Sequence, residues 1–149
     1  MANSNRKVIL THIAETVLPT ITIANGFNFN VATFARGLVS LEELTDEDYP
    51  ALFVSSADET REDVTHKDFK SLMLVRIHGF VKAAADDVQK QLDDLIEDVT
   101  EALYADPTQG GRVNWTKVKT IETDEGNLEG HAIFRLTVEF LYKSPGKTA

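Results

Sequence analysis

The sequence predicts an α+β domain, a mostly antiparallel sheet with two helices packed on one face. Apolar residues recur at helical spacing in two stretches, 9–18 and 88–103. They recur at alternating spacing between 73 and 81 and again between 132 and 142. Helix, strands, long helix and a final strand pair follow one another without a regular βαβ alternation. A length of 149 residues suits one domain, expected over 1–149 with a charged loop at about 56–68 and a short tail at 144–149. Folding at that size removes ~68–70% of the accessible surface of the unfolded chain, enough for a core without disulfide or metal.

The first helix is expected from Ser4, a capping residue, to Pro19, which cannot continue the backbone ladder. Ile9, Ile13 and Val17 fall on one face with Leu10, Ala14 and Leu18 beside them. Asn25-Gly26 marks a turn. Aromatic alternation from Phe27 to Val39 predicts a strand or hairpin, interrupted near Arg36-Gly37. Residues 41–48 form an acidic connector, and Ala51–Ser55 is a short apolar strand. Ser56–Asp68 is dense in both signs of charge and is expected to be an exposed, mobile loop.

Phe69–Val81 predicts a strand with Met73, Val75, Ile77 and Val81 on one face. Its other face, with Leu74, Arg76, His78 and Phe80, is mixed, which implies partial exposure or contact beyond the domain. Ala83–Tyr104 predicts a helix with a stripe of Val88, Leu92, Leu95, Ile96, Val99, Ala102 and Leu103. Asp86 and Asp87 favour the positive end of its dipole, and Asp106-Pro107 and Gly110-Gly111 end it. Val113–Thr123 and His131–Lys143 are the last two strands. The second of them buries Ala132, Phe134, Leu136, Val138, Phe140 and Tyr142.

A formal net charge of −9 and scattered Lys and Arg argue against a phosphate-neutralising nucleic-acid site. Solubility accounts for the acidity, and an acidic wall also suits a channel that nucleic acid passes without sticking. Absence of cysteine excludes disulfides, thiolate zinc sites and cysteine nucleophiles. The N-terminal stretch lacks an unbroken apolar run, and no stretch of about 18 apolar residues occurs, so assembly in a cytoplasm without membrane insertion is expected. His12, His66, His78 and His131 show no HExxH-type spacing. The run Asp93, Asp94, Glu97, Asp98 and Glu101 is expected to be a solvated helix face opposite the stripe. No Walker A loop, G-x-S-x-G elbow or G-x-G-x-x-G is present, and neither catalytic residue, metal nor cofactor is expected. Phe27, Phe29 and Phe34 lack basic neighbours beyond Arg36, which favours core packing over base stacking.

Residues 99–118, VTEALYADPTQGGRVNWTKV, end a long helix in "ALxxDPTxGGxV" and lead into a strand, and the chain closes with RLTVEFLYK. With the preceding "YPALFV" this pattern resembles the tail terminator, or tail completion, proteins of long-tailed bacteriophages, over about residues 5–143. The resemblance implies a non-enzymatic virion protein forming a six-membered ring at the head-proximal end of the tail. It implies the tail tube protein, the head-tail connector protein and further copies of itself as partners. DNA would cross the lumen without specific binding. A closed ring uses heterologous interfaces. Candidates for them are Glu59, Arg61, Glu62, Asp63 and Lys67 in the charged stretch, and Arg76 and His78 on the mixed strand face. A solvated loop is the competing reading of the first group. Another head-tail connector or tail tube component, or a small ligand-binding domain or enzyme, remains as an alternative function.

Overall fold

The computed structural model describes residues 5–36, 44–63, 68–83, 87–124 and 131–145. The fold is α+β. Among the described residues five strands are β1 (Thr33–Arg36), β2 (Ala51–Asp63), β3 (Asp68–Lys82), β4 (Trp115–Thr123) and β5 (His131–Pro145). They form one sheet in the order β1-β2-β3-β5-β4. Only β1 and β2 run parallel; every other neighbouring pair is antiparallel. The helices are α1 (Asn5–His12) and α2 (Val88–Tyr104).

The N-terminal helix does not stop at Pro19. After α1 the chain widens into a π turn at Ile13–Val17, then tightens into a 3-10 turn at Leu18–Thr20. Pro19 lies in the first positions of that last turn, where a missing N–H breaks no ladder bond. The expected apolar face holds: Ile9, Leu10, Ile13, Ala14, Val17 and Leu18 are all buried. Ser4, its expected cap, lies outside the described residues, as does Asp86 before α2.

Beyond the N-terminal helix three elements differ from expectation; the simplest is α2, which begins at Val88, Ala83 not being helical. Of the strand foreseen at 27–39, only β1 is extended within the sheet, and residues 37–39 lie outside the described set. Residues 21–32 instead carry a 3-10 turn at Ile23–Asn25, closed by Gly26 at φ 92°. Phe27, Phe29 and Phe34 pack against the main core, as the sequence suggested. The larger correction concerns the charged loop: β2 continues to Asp63 and β3 starts at Asp68, so most of that stretch is a hairpin. Residues 64–67 lie outside the described set. A β-bulge between Ser56 and Glu59 shifts the register, so Glu59 pairs with Met73 and Glu62 with Lys70. Of the charges that composition assigns to a loop, Glu59 is thereby brought to Ser71 and Glu62 to Lys70 across the hairpin.

One sheet face and both helices enclose the core. Met73, Val75, Ile77 and Val81 of β3 meet Ala132, Phe134, Leu136, Val138, Phe140 and Tyr142 of β5. Onto them pack Val88, Leu92, Leu95, Val99, Ala102 and Leu103 of α2, and the apolar face of α1. In β3, Gly79 lies opposite Phe134, and a Cβ there would overlap the Phe134 ring. Glycine is needed at that position for space. The opposite face of the sheet carries a smaller cluster, Ala51, Phe53 and Phe80 with Ala35, Leu44, Tyr49 and Ile133, at one end only. Among the described residues no helix is long and apolar enough to cross a membrane.

Candidate functional site

Glu59 and Arg61 of the charged stretch lie on the sheet face opposite the mixed strand face, whereas Glu62, registered with Lys70, lies on the same face as Arg76. Beyond the bulge, Glu59 and Arg61 share the helix-side face with their partners Met73 and Ser71. The Glu59 side chain is 7% exposed. It accepts hydrogen bonds from Tyr142 Oη at 3.0 Å, Ser71 Oγ at 3.2 Å and Arg61 Nε at 2.5 Å. Burial pushes its pKa up. The hydrogen bonds of Arg61 and Tyr142, the Arg61 charge and the Ser71 hydroxyl outweigh that, holding the carboxyl below its ordinary value. Burial, with the Glu59 charge and hydrogen bond, raises the Tyr142 hydroxyl against a smaller lowering by Ser71 and Arg61. Glu59 is therefore an internal anchor of the hairpin. Glu62 is exposed and lies 3.7 Å from Lys70, a surface pair of small energy. Asp63 ends β2, and Lys67 lies outside the described residues.

Arg76 and His78 lie on the other face, hereafter the open face, at the middle of the sheet. Strand register sets Arg76 against Thr137 and His78 against Arg135, which in turn faces Glu122 of β4. Arg135 clamps Glu122 with Nη2 2.7 and 2.8 Å from its two oxygens and Nε 3.2 Å away. His78 Nε2 lies 3.2 Å from Ser55 Oγ. Burial, then the charges of Arg135 and Arg76, lower the His78 pKa, so the ring stays neutral at neutral pH. Arg76 Nε is buried without a hydrogen-bond partner among the described residues. Glu139, on the same face, reaches Lys119 at 3.7 Å. His78, Glu122, Asp124, Ile133 and Arg135 line an open depression of about 300 Å³. Its side chains are mostly paired with one another, which suits surface recognition better than acid–base chemistry.

Three groups escaped the sequence. Asp98, expected on the solvated face, is 1% exposed. Its carboxylate accepts from the backbone N–H of Asn28 (2.9 Å) and Phe29 (3.1 Å) and from Asn28 Nδ2 (3.0 Å). Burial raises its pKa against these bonds, with the charges of Glu97 and Asp94 adding to the rise. The signal was present: Asp98 follows Leu95 by three residues and precedes Ala102 by four, placing it beside the stripe. In the turn after α2, Gln109 is buried at φ 49°. Its Nε2 donates to Leu103 O at 2.9 Å and Thr116 Oγ1 at 3.0 Å, tying the helix end to β4. Gly110 and Gly111 continue the left-handed turn at φ 69° and 82°. Asp106 accepts from Gly110 N–H at 2.7 Å and Thr108 Oγ1 at 3.0 Å, bonds that hold its carboxyl below the usual range. The Arg135–Glu122 clamp needs the β4–β5 register, which alternation within one strand does not supply.

Among the described residues no three His, Asp or Glu side chains gather as a metal set. The chain matches no protein family model, and no curated protein matches it.

Proposed function

We propose that this chain is a structural virion subunit, a tail terminator that closes the head-proximal end of a long bacteriophage tail and offers the joint to the connector. The observation that carries the assembly part of this reading is the open sheet face, with a buried Arg76 Nε that has no acceptor among the described residues. A shielded guanidinium N–H without an acceptor is unfavourable, and a shift of the Arg76 side chain toward a neighbouring subunit would relieve it. The specific role rests on the element order and on the DPTQGG turn, whose buried Gln109 joins α2 to β4. In this reading the protein is not an enzyme, takes no cofactor, and its acidity keeps DNA from adhering as it passes.

Electron microscopy of the protein mixed with tubes of the tube subunit from the same genome tests this. The expected result is one ring at one tube end, with elongation halted. Bare tubes that keep growing would overturn it.

A further inference from the structure

Away from the small apolar cluster at one end, the open face carries mostly half-buried side chains in β3 and β5 and exposed ones in β4. Leu72, Leu74, Trp115 and Leu141 are half-buried there and belong to neither apolar cluster. Leu141 lies opposite Leu72 on one side and Trp115 on the other, so three apolar side chains form one row across β3, β5 and β4. The next row holds Leu74, Glu139 and Lys117, and the row after it Arg76 and Thr137. Lys117 is exposed, and among the described residues it has no ion-pair partner. The apolar row is thus bordered by Arg76, whose buried Nε lacks a hydrogen-bond partner among the described residues, and by the solvent-exposed Lys117.

The other side of the molecule has the complementary character. Asp93, Glu97 and Glu101 stand at i, i+4 and i+8 on α2, all exposed and, among the described residues, without ion-pair partners. They form a straight ridge about 12 Å long. Tyr104, 41% exposed, stands at its C-terminal end and adds apolar surface. Helix and sheet lie back to back, so ridge and open face point in opposite directions. That is the arrangement a head-to-tail contact needs, since each copy offers two different patches.

We infer that copies of this chain associate through these two faces, the acidic ridge of α2 in one copy seated on the open sheet face of the next. A ridge carboxylate accepts from Arg76, and Tyr104 lies toward the apolar row. In a chain of net charge −9, two copies repel at most orientations. A surface that pairs cations with half-buried apolar side chains offsets that repulsion, which favours this face for self-contact. The inference rests on the reading of the protein as an assembling subunit, and adds which surfaces meet.

Sedimentation velocity on the full chain up to millimolar concentration, at moderate salt, tests it with two charge reversals. Arg76→Glu and Glu97→Arg should each weaken self-association about tenfold or more. An equimolar mixture of the two variants should recover it. Each contact then sets Glu against Arg again, provided the two alternate. Recovery also shows that neither variant has failed to fold. Wild-type protein that stays monomeric at millimolar concentration overturns the inference, as do single variants that associate normally or a mixture that does not recover. If Arg76→Glu associates normally yet no longer caps tubes, the open face belongs to the tube contact and only this inference falls. If the wild type associates as described but leaves tubes growing, the terminator reading falls and the interface stands.

Discussion

The carboxylate of Glu59 receives a phenol, a hydroxyl and a guanidinium, whereas that of Asp98 receives mainly backbone N–H groups. Both are interior carboxylates, and they have different testable consequences. For Glu59 the folded pKa lies below the unfolded one. Its contribution is therefore present above the ordinary glutamate range and is lost as pH falls through about 4 and below. Glu59→Gln removes the titration, so chemical denaturation from pH 7 down to pH 3 should show a shallower loss of stability than in the wild type. An unchanged pH slope would mean that the network does not hold in solution. Asp98 instead anchors a loop. Asp98→Ala leaves the N–H groups of Asn28 and Phe29 without their acceptor and should destabilise the fold by about 1–3 kcal/mol. Hydrogen exchange localises the effect: the amides of Asn28 and Phe29 should open faster relative to those of β3, whose ladder is untouched. Uniform acceleration across the molecule would instead make the loop part of the global unfolding unit.

At the scale of elements, what the sequence disclosed was periodicity. The stripe of α2 and the alternation of β3 and β5 are both one-dimensional signals, and both map onto buried faces. Leu95 is wholly buried at the centre of that stripe, and Leu95→Ala should lower stability by about 2–5 kcal/mol in denaturant titration. Gly79→Ala tests the opposite limit, since its Cβ has no room beside Phe134. It should cost about 1–3 kcal/mol although alanine suits a strand better than glycine does. Elements whose stability comes from partners far along the chain were not legible. The 56–68 stretch has loop composition, but Glu59 becomes a strand residue because Ser71 and Tyr142 await it, the latter 83 residues away. Residues 27–32 belong to the stretch whose aromatic alternation reads as a strand, yet Asp98 holds Asn28 and Phe29 in an irregular segment. For the same reason the sequence put Arg76 and His78 on one face but did not join them to Arg135 and Glu122, which only register does.

For the whole molecule, two electrostatic effects of opposite sign govern association, and salt separates them by range. The like charge of two copies, −9 each, is spread over a body with a radius of gyration of about 15 Å. At ~0.01 M salt the Debye length is about 30 Å, so this repulsion acts across the entire molecule and opposes contact. At ~0.15 M it shortens to about 8 Å, and only charges that face one another closely still interact. Contact between the α2 ridge and Arg76 survives that change, because partly buried pairs are screened much less. By ~1 M, with a Debye length of about 3 Å, the remaining attraction at the rim is lost as well. Self-association is therefore expected to rise from low to moderate salt and to fall again toward 1 M, with its maximum near physiological ionic strength. Arg76→Glu should abolish the maximum, since it removes the short-range attraction and adds to the net repulsion. Light scattering across a chloride series reads this directly. Association that keeps strengthening up to 1 M would mean that the apolar row around Leu72, Leu141 and Trp115 governs the contact, with the charges no more than its border.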